Sequence, residues 1–310
     1  MSPPHELRVA LDTNTASAPS ASAVNWRSPR RARWHALLRA RQTATLDTTD
    51  IATRETTLRV ALRSFFVVVA FWWSATGAIF ALERTLATRS LGLALATVLA
   101  LWGVSLMLLE RDRETPSAAR RSFLGGAFLW TWVQVLFYGG WLIGPEALRA
   151  AVPAQAPSFG FALQAIGAMF WYQLAMLAVL AVGAMLVRGR VNRVGAWTLM
   201  LFWVVHQLAS INIFVGVENP GRGFFPEALV FLESYFGPQR NSLFLLLSLA
   251  AVLCFTLGVA LHALRGRTPA LRQSMMLLTV IGALSVLELA VLGAPINMPL
   301  WEAFLAVRGY

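Results

Sequence analysis

The 310-residue sequence contains no lysine, one cysteine and few charges of any kind: charged residues make up only 13% of it. A soluble globular domain carries about 25% charged residues, so roughly half of the usual solvating charge is missing. The single cysteine, Cys254, leaves no disulfide framework and no cysteine-based metal site. It lies inside an apolar block, where a small buried apolar side chain is expected. Also missing are HExxH, Gly-x-Ser-x-Gly, a phosphate loop and paired acids within the apolar blocks. No catalytic residue and no metal site is therefore expected, and the chain reads as a non-enzyme. A secretory signal is not expected either, because the first long apolar run begins near residue 64 and no cleavage site follows it.

What is present is hydrophobic: 57% of the residues, gathered in blocks of 18 or more. Blocks of that length cross a hydrocarbon core of about 30 Å at about 1.5 Å per residue. Seven can be read, at about 64–82, 91–109, 122–144, 161–187, 195–217, 242–264 and 274–293. Only helices or closed barrels satisfy their backbone groups in lipid, and continuous apolar runs exclude alternating barrel strands. The expectation is an all-α polytopic transmembrane bundle of about seven spans over residues 60–310.

The net charge of +11 comes entirely from arginine, 26 of them against 15 acidic residues. The tail before the first span and the loops 110–121, 188–194 and 265–273 carry 10, 4, 3 and 3 arginines. The intervening segments 83–90, 145–160, 218–241 and 294–310 carry 2, 1, 2 and 1. This bias in short loops predicts a cytoplasmic N-terminus and a periplasmic C-terminus in a bacterial inner membrane. It makes the basic balance topological, with no nucleic-acid partner implied. Residues 1–59 form a separate basic tail. Within it, 1–25 is rich in Ser, Ala, Thr and Pro and is expected to be disordered. Residues 26–41, with Trp34, Leu37 and Leu38, read either as a short amphipathic helix on anionic headgroups or as a solvated tail that only fixes topology.

Outside the spans, residues 218–241 stand out. Pro226 suits a first helical turn, Glu227 the positive end of the dipole, and Gly237 with Pro238 a stop. Leu229, Leu232 and Phe236 recur at helical spacing, with Phe225 and Tyr235 alongside. The pattern predicts an amphipathic interfacial helix at about 226–236, too short to span. Two readings stand side by side: these five apolar residues dock a partner, or the helix caps its own bundle.

Ionisable residues at bilayer depth cost about 2.5–3.5 kcal/mol on insertion scales, so each needs a reason. His206 and Asn212 lie in the fifth block, six apart and so on different faces, while Ser210 shares the face of His206. Glu288 lies in the seventh block, and Gln134, Gln164 and Gln173 add amides to the third and fourth. His262 reads as interfacial. For His206, Asn212 and Glu288 four readings compete. They are interhelical hydrogen bonding worth about 0.6 kcal/mol per contact, a pigment or ligand site with His206 as axial ligand, a proton or ion path, and catalysis. Gly140 and Gly144 form a small-xxx-small pair expected to admit another helix within the third block. Nine tryptophans within the blocks are expected to divide between interfacial belts and the interior.

At the fifth block and the loop after it, the stretch WVVHQLASINIFVGVENPGRGFFPEALVFLESYFGPQRNSLF resembles the PuhE family of photosynthetic complex assembly proteins. An Asn-x-Phe-x-Gly-Val-x-Asn element is present as Asn212, Phe214, Gly216, Val217 and Asn219. A Pro-x-x-Leu…Ser-Tyr-Phe element follows as Pro226, Leu229, Ser234, Tyr235 and Phe236. FWWSATGAIFAL in the first block and Trp102–Gly103 in the second extend the resemblance from about residue 60 to the C-terminus. Where that family carries His-Glu, His-Glu and Glu-His, this chain has Val104–Ser105, Tyr172–Gln173 and Glu288–Leu289, and His206 stands where an arginine is more usual. The resemblance implies a divergent member acting in assembly or accumulation of the reaction centre and light-harvesting complex. It implies contacts with their subunits, with other assembly factors or with bacteriochlorophyll as a bound pigment. A seven-span transporter is the rival from another class, although no internal repeat and no span broken by proline is evident.

Overall fold

The computed structural model describes residues 56–144 and 158–294, apart from Phe80, Glu83, Arg84 and Phe224. The segments expected to be disordered or helical within residues 1–41 lie outside the described residues, as does the C-terminal stretch 295–310. Everything described belongs to one compact unit, Glu55–Tyr310.

Among the described residues every regular element is helical. The helices are α1 (Thr56–Ile79), α2 (Leu86–Glu110), α3 (Pro116–Tyr138), α4 (Phe159–Ala168), α5 (Phe170–Leu186) and α6 (Val194–Val215). A 3₁₀ segment, Glu227–Tyr235, precedes α7 (Leu243–Leu264) and α8 (Pro269–Gly293). Local chemistry sets the starts. Thr85, Thr115, Ser158 and Thr268 each cap the helix that follows with a side-chain oxygen, and proline fills the first turn of α3 and α8. The start of α6 takes partners from elsewhere: Asn192 Oδ1 accepts from Val194 N–H (3.3 Å), and Ser122 Oγ on α3 accepts from Gly195 N–H (3.0 Å).

Five helices, α1, α2, α6, α7 and α8, are long and apolar enough to cross a membrane, and the bent pair α4–α5 passes the same test taken together. The remaining long helix, α3, has 23 residues but is less apolar. It is the axis of the bundle, packed against α2, α5, α6 and α8. A helix enclosed by helices meets little lipid, so its walls can hold small and polar residues: Ser122, Gly125, Gly126, Thr131 and Gln134 are all buried. Gly126 lies with its Cα against the backbone of Gly195 on α6. Gly125 lies against α2, where a Cβ on either Gly125 or Gly103 would stand 2.7 Å from the other's carbonyl oxygen.

Three expectations are corrected. The third block does not run to residue 144: α3 stops at Tyr138, and Gly140 adopts φ +81°. Trp141 N–H then donates to the Leu136 carbonyl (2.9 Å), the six-residue closure of a Schellman cap. Gly140 therefore helps to end a helix and Gly144 lies beyond it, and the close-packing motif in α3 is the pair Ser122 and Gly126. The fourth block is not one straight span, because α4 and α5 meet at Met169 with a bend of 76°. No proline is involved. The backbone of Met169 leaves helical geometry, and its N–H turns back to the Ile166 carbonyl. The break lies two residues after Gly167, a weak helix former. Finally, Cys254 is exposed on α7, because in lipid an apolar side chain gains nothing by turning inward.

The two ends of the bundle differ. At one end meet the loops after α2, α5 and α7. Arg190 pairs with Asp112 (3.2 Å), Asn192 Nδ2 donates to the Glu110 carbonyl (3.1 Å), and buried Glu110 pairs with Arg121 (2.8 Å). Gln273, 1% exposed, donates to Ser64 Oγ (2.7 Å) and accepts from Arg120 (3.2 Å), joining α1, α3 and α8 there. The segments carrying most of the described arginines are thus brought to one end. At the other end Asn219 N–H and Asn241 Nδ2 donate to the last carbonyls of α8, Leu292 (2.9 Å) and Gly293 (2.7 Å).

Candidate functional site

The sequence singled out His206, Asn212 and Glu288, and the helices sort them into two places. Asn212 faces α7: its Nδ2 donates to Ser248 Oγ (3.0 Å) and to the Leu208 carbonyl one turn back (2.8 Å). That is an interhelical hydrogen bond between buried side chains, the role that fixes packing. His206 and Glu288 come together elsewhere, both lining a cavity of about 170 Å³ between α1, α3, α6 and α8. The same two residues also line a second cavity of about 110 Å³, which reaches Phe225 and Leu232 under the 3₁₀ segment.

The first cavity has an aromatic wall and a polar one. Trp72 and Trp130 lie nearly parallel at 23° with centroids 6.4 Å apart, and Phe202 sits 5.0 Å from Trp130. Its polar lining is Thr76, Gln134, Tyr138, His206 and Glu288. Gln134 spends its Nε2 on the Tyr172 hydroxyl (3.0 Å), and Tyr172 in turn lies edge-on to the His206 ring at 5.4 Å. Four polar atoms around this one cavity are shielded from the surface and lack a hydrogen-bond partner: Trp130 Nε1, Gln134 Oε1, His206 Nε2 and Glu288 Oε2. Orphaned groups at bilayer depth cost several kcal/mol each unless something polar fills the space. Water fits, since a cavity of about 170 Å³ holds a handful of molecules of about 30 Å³ each. His206 offers its unpartnered Nε2 to the same space.

The other expected site residues turn inward. Leu229, Leu232 and Tyr235 repeat every third residue, which in a three-residue turn makes one stripe; all three are buried, with Phe236 beside them. Phe225 is half-buried and packs on the same core as these four. The segment forms at the expected place, as a 3₁₀ rather than an α-helix, and it caps its own bundle. The outward positions include Glu227 and Val230. Sequence reasoning did not join Trp130 and Tyr172 to the site. A signal existed for Tyr172: Tyr172–Gln173 and Glu288–Leu289 stand where the resembled family carries His-Glu and Glu-His, and both positions converge on His206. Gln173 donates to Gln207 (3.0 Å) and accepts from Trp203 (3.4 Å), tying α5 to α6. Gln164 is exposed.

An all-helical membrane bundle with an aromatic and polar cavity at its centre is the class that these features define. A family model described as "Protein of unknown function (DUF3623)" matches residues 59–308, and the chain belongs to that family. It is 28% identical over 235 residues to an "Uncharacterized 30.4 kDa protein in puhA 5'region" of Rhodobacter capsulatus, an alignment covering 74% of this chain and 83% of that protein. No solved structure matches the chain.

Proposed function

We propose that this chain is a non-enzymatic membrane factor for assembly or accumulation of the bacterial photosynthetic reaction centre and its light-harvesting complex. In this reading it acts in the photosynthetic membrane through contacts with their subunits or with other assembly factors. What supports it is the relative named for its position in the puhA 5' region, together with the resemblance of α6 and its following loop to photosynthetic complex assembly proteins. Subunit contact is favoured because α1 leaves Phe66 and Trp73 66% and 75% exposed for helix-to-helix contact. The test is gene deletion in a phototroph. Reaction-centre complex is expected to fall several-fold with bacteriochlorophyll synthesis largely intact, and unchanged complex would end the proposal. Complementation with a His206→Ala, Glu288→Ala double variant separates the roles. Full restoration is expected of a scaffold, whereas loss of function with normal protein levels would point to chemistry in the cavity.

A seven-span topology with a cytoplasmic N-terminus is part of the same reading. It counts α3 as a span shielded from lipid and α4–α5 as one bent span, and it places the arginine-rich end in the cytoplasm. Reporter fusions in the loop 188–194 are expected to show a cytoplasmic signal and fusions in 218–241 a periplasmic one; the reverse pattern would invert the topology.

One observation favours the rival transporter. The break at Met169 borders the second cavity together with His206 and Glu288, and helices interrupted beside polar cavities are a feature of secondary transporters. Substrate-dependent uptake by vesicles containing the purified protein would decide for it.

A further inference from the structure

At the arginine-rich end, a crevice of about 390 Å³ opens between the start of α3, the loop before α6 and the start of α8. Its lining carries Arg113 and Arg193, with Thr115, Asn192, Thr268 and Ser274 as neutral polar groups and Glu114 as the one acid. Arg193 donates its Nε to the Arg190 carbonyl (2.9 Å) and has no carboxylate partner among the described residues. Arg113 holds Glu110 only at 3.4 Å, while Arg121 holds the same oxygen at 2.8 Å. Two guanidinium groups thus line the crevice, Arg193 without a carboxylate and Arg113 with only a share of Glu110, against Glu114 as the one acid of the lining. The positive ends of α3, α6 and α8 border the same crevice and add to the field.

The floor of the crevice is apolar, and it does not stop there. Trp197 and Leu278 line both it and a second space of about 240 Å³, whose walls are apolar and run between α6, α7 and α8. On α6 this groove extends from Trp197 to Leu208, about 16 Å along the axis at about 1.5 Å per residue. One leaflet of the hydrocarbon core is about half of ~30 Å thick. Exposed Trp197 stands where polar head space gives way to apolar groove, the depth at which tryptophan settles in membranes. A basic head site, a tryptophan at the boundary and an apolar channel one leaflet deep occur here in that order along one continuous surface.

We propose that this surface binds an anionic phospholipid, its phosphate and headgroup between Arg113 and Arg193 and one acyl chain in the groove between α6, α7 and α8. Charge complementarity selects the anionic lipid, because a zwitterionic headgroup brings its own cation to the two arginines. The groove explains why α7 packs mainly on α8 and hardly on α6: a chain of lipid completes the contact.

The full-length protein in phosphatidylcholine vesicles, doped with brominated phosphatidylglycerol or brominated phosphatidylcholine, provides the test. Bromine on the acyl chain quenches tryptophan nearby, and the part due to Trp197 is obtained by difference from a Trp197→Phe variant. The expected result is a saturable quench of Trp197 at a mole fraction of phosphatidylglycerol about tenfold lower than of phosphatidylcholine. An Arg113→Gln, Arg193→Gln double variant should lose the preference, and Arg240→Gln at the other end should keep it. Equal quenching by the two lipids, or a preference that survives the double variant, would mean ordinary solvation by bulk lipid and would overturn the proposal. Both arginines are exposed, so the double variant is expected to fold, and an unchanged elution profile in detergent checks this.

Discussion

A Gly126→Leu variant is expected to yield almost no folded bundle. At this point α3 and α6 touch backbone to backbone, and the first atom of any side chain on Gly126 would fall on the Gly195 carbonyl. Ordinary overpacking costs about 1–3 kcal/mol because side chains can move aside. Here no side chain stands in the way to yield, and α3 is held from behind by α2 through Gly103 and Gly125. Separating α6 from α3 would also break the Ser122 bond that caps α6. The cost is therefore placed at about 3 kcal/mol or more, a large part of the total stability of most domains. Gly258→Leu is the control: a Cβ there meets nothing within 4 Å, and the variant should match the wild type. Monodisperse yield after detergent extraction, followed by denaturant titration, measures both. A well-folded Gly126→Leu protein would show that the two helices do not meet as described.

Gly216→Val should open the end of the bundle opposite the described arginine cluster. Gly216 ends α6 with φ +137°, a conformation that side chains rarely adopt. A Cβ there would stand 2.9 Å from the Pro238 carbonyl oxygen and 3.1 Å from that of Arg240. Backbone strain of this kind costs about 1–3 kcal/mol, and the contacts add to it. What would be lost is a set of fastenings. The Gly216 carbonyl accepts from Ser242 at the start of α7 (3.2 Å), and Gly237 N–H donates to the Ile213 carbonyl (3.0 Å). Asn219, three residues on, donates its Nδ2 to the carbonyls of Val291 and Ala294 on the end of α8. The expected result is protease cleavage within 218–241 at a rate at least several-fold above wild type, with the spans still folded. Unchanged protection would place the constraint elsewhere.

These two glycines show how far the sequence could be read. The presence and approximate position of the long apolar helices were legible because lipid demands length and apolarity, and both are visible residue by residue; the count was less so, with seven blocks read and five helices, or six with the bent pair, passing the same test in the structure. The gathering of the described arginines at one end was legible from their spacing along the chain. Inward and outward faces were not. In water, apolarity marks the inside; in lipid, Cys254 and Trp73 are as well placed facing out, and the interior is marked instead by small and polar residues such as Ser122 and Gly126. The chain has two glycine doublets near α3, Gly125–Gly126 and Gly139–Gly140. Only backbone geometry tells that the first is a helix contact and the second a helix stop. At the site, His206 and Glu288 were found because polarity at depth is conspicuous, and Asn212 for the same reason was grouped with them. Six residues along a helix point it to a different neighbour, and the helix packing alone decides which one.

The modest apolarity of α3 bears on how the protein is made. A helix that opens with Arg120 and Arg121 near its first turn and carries Gln134, Thr131 and two glycines within is a poor insertion signal by itself. The very apolar α2 immediately precedes it across a short link, and the two pack together with a backbone contact at Gly103 and Gly125. In the seven-span reading the translocation machinery would therefore meet them as one hairpin, with α2 carrying its partner into the bilayer. A variant that weakens their mating at Gly103 would leave α3 stranded outside the membrane while the ribosome is still at work.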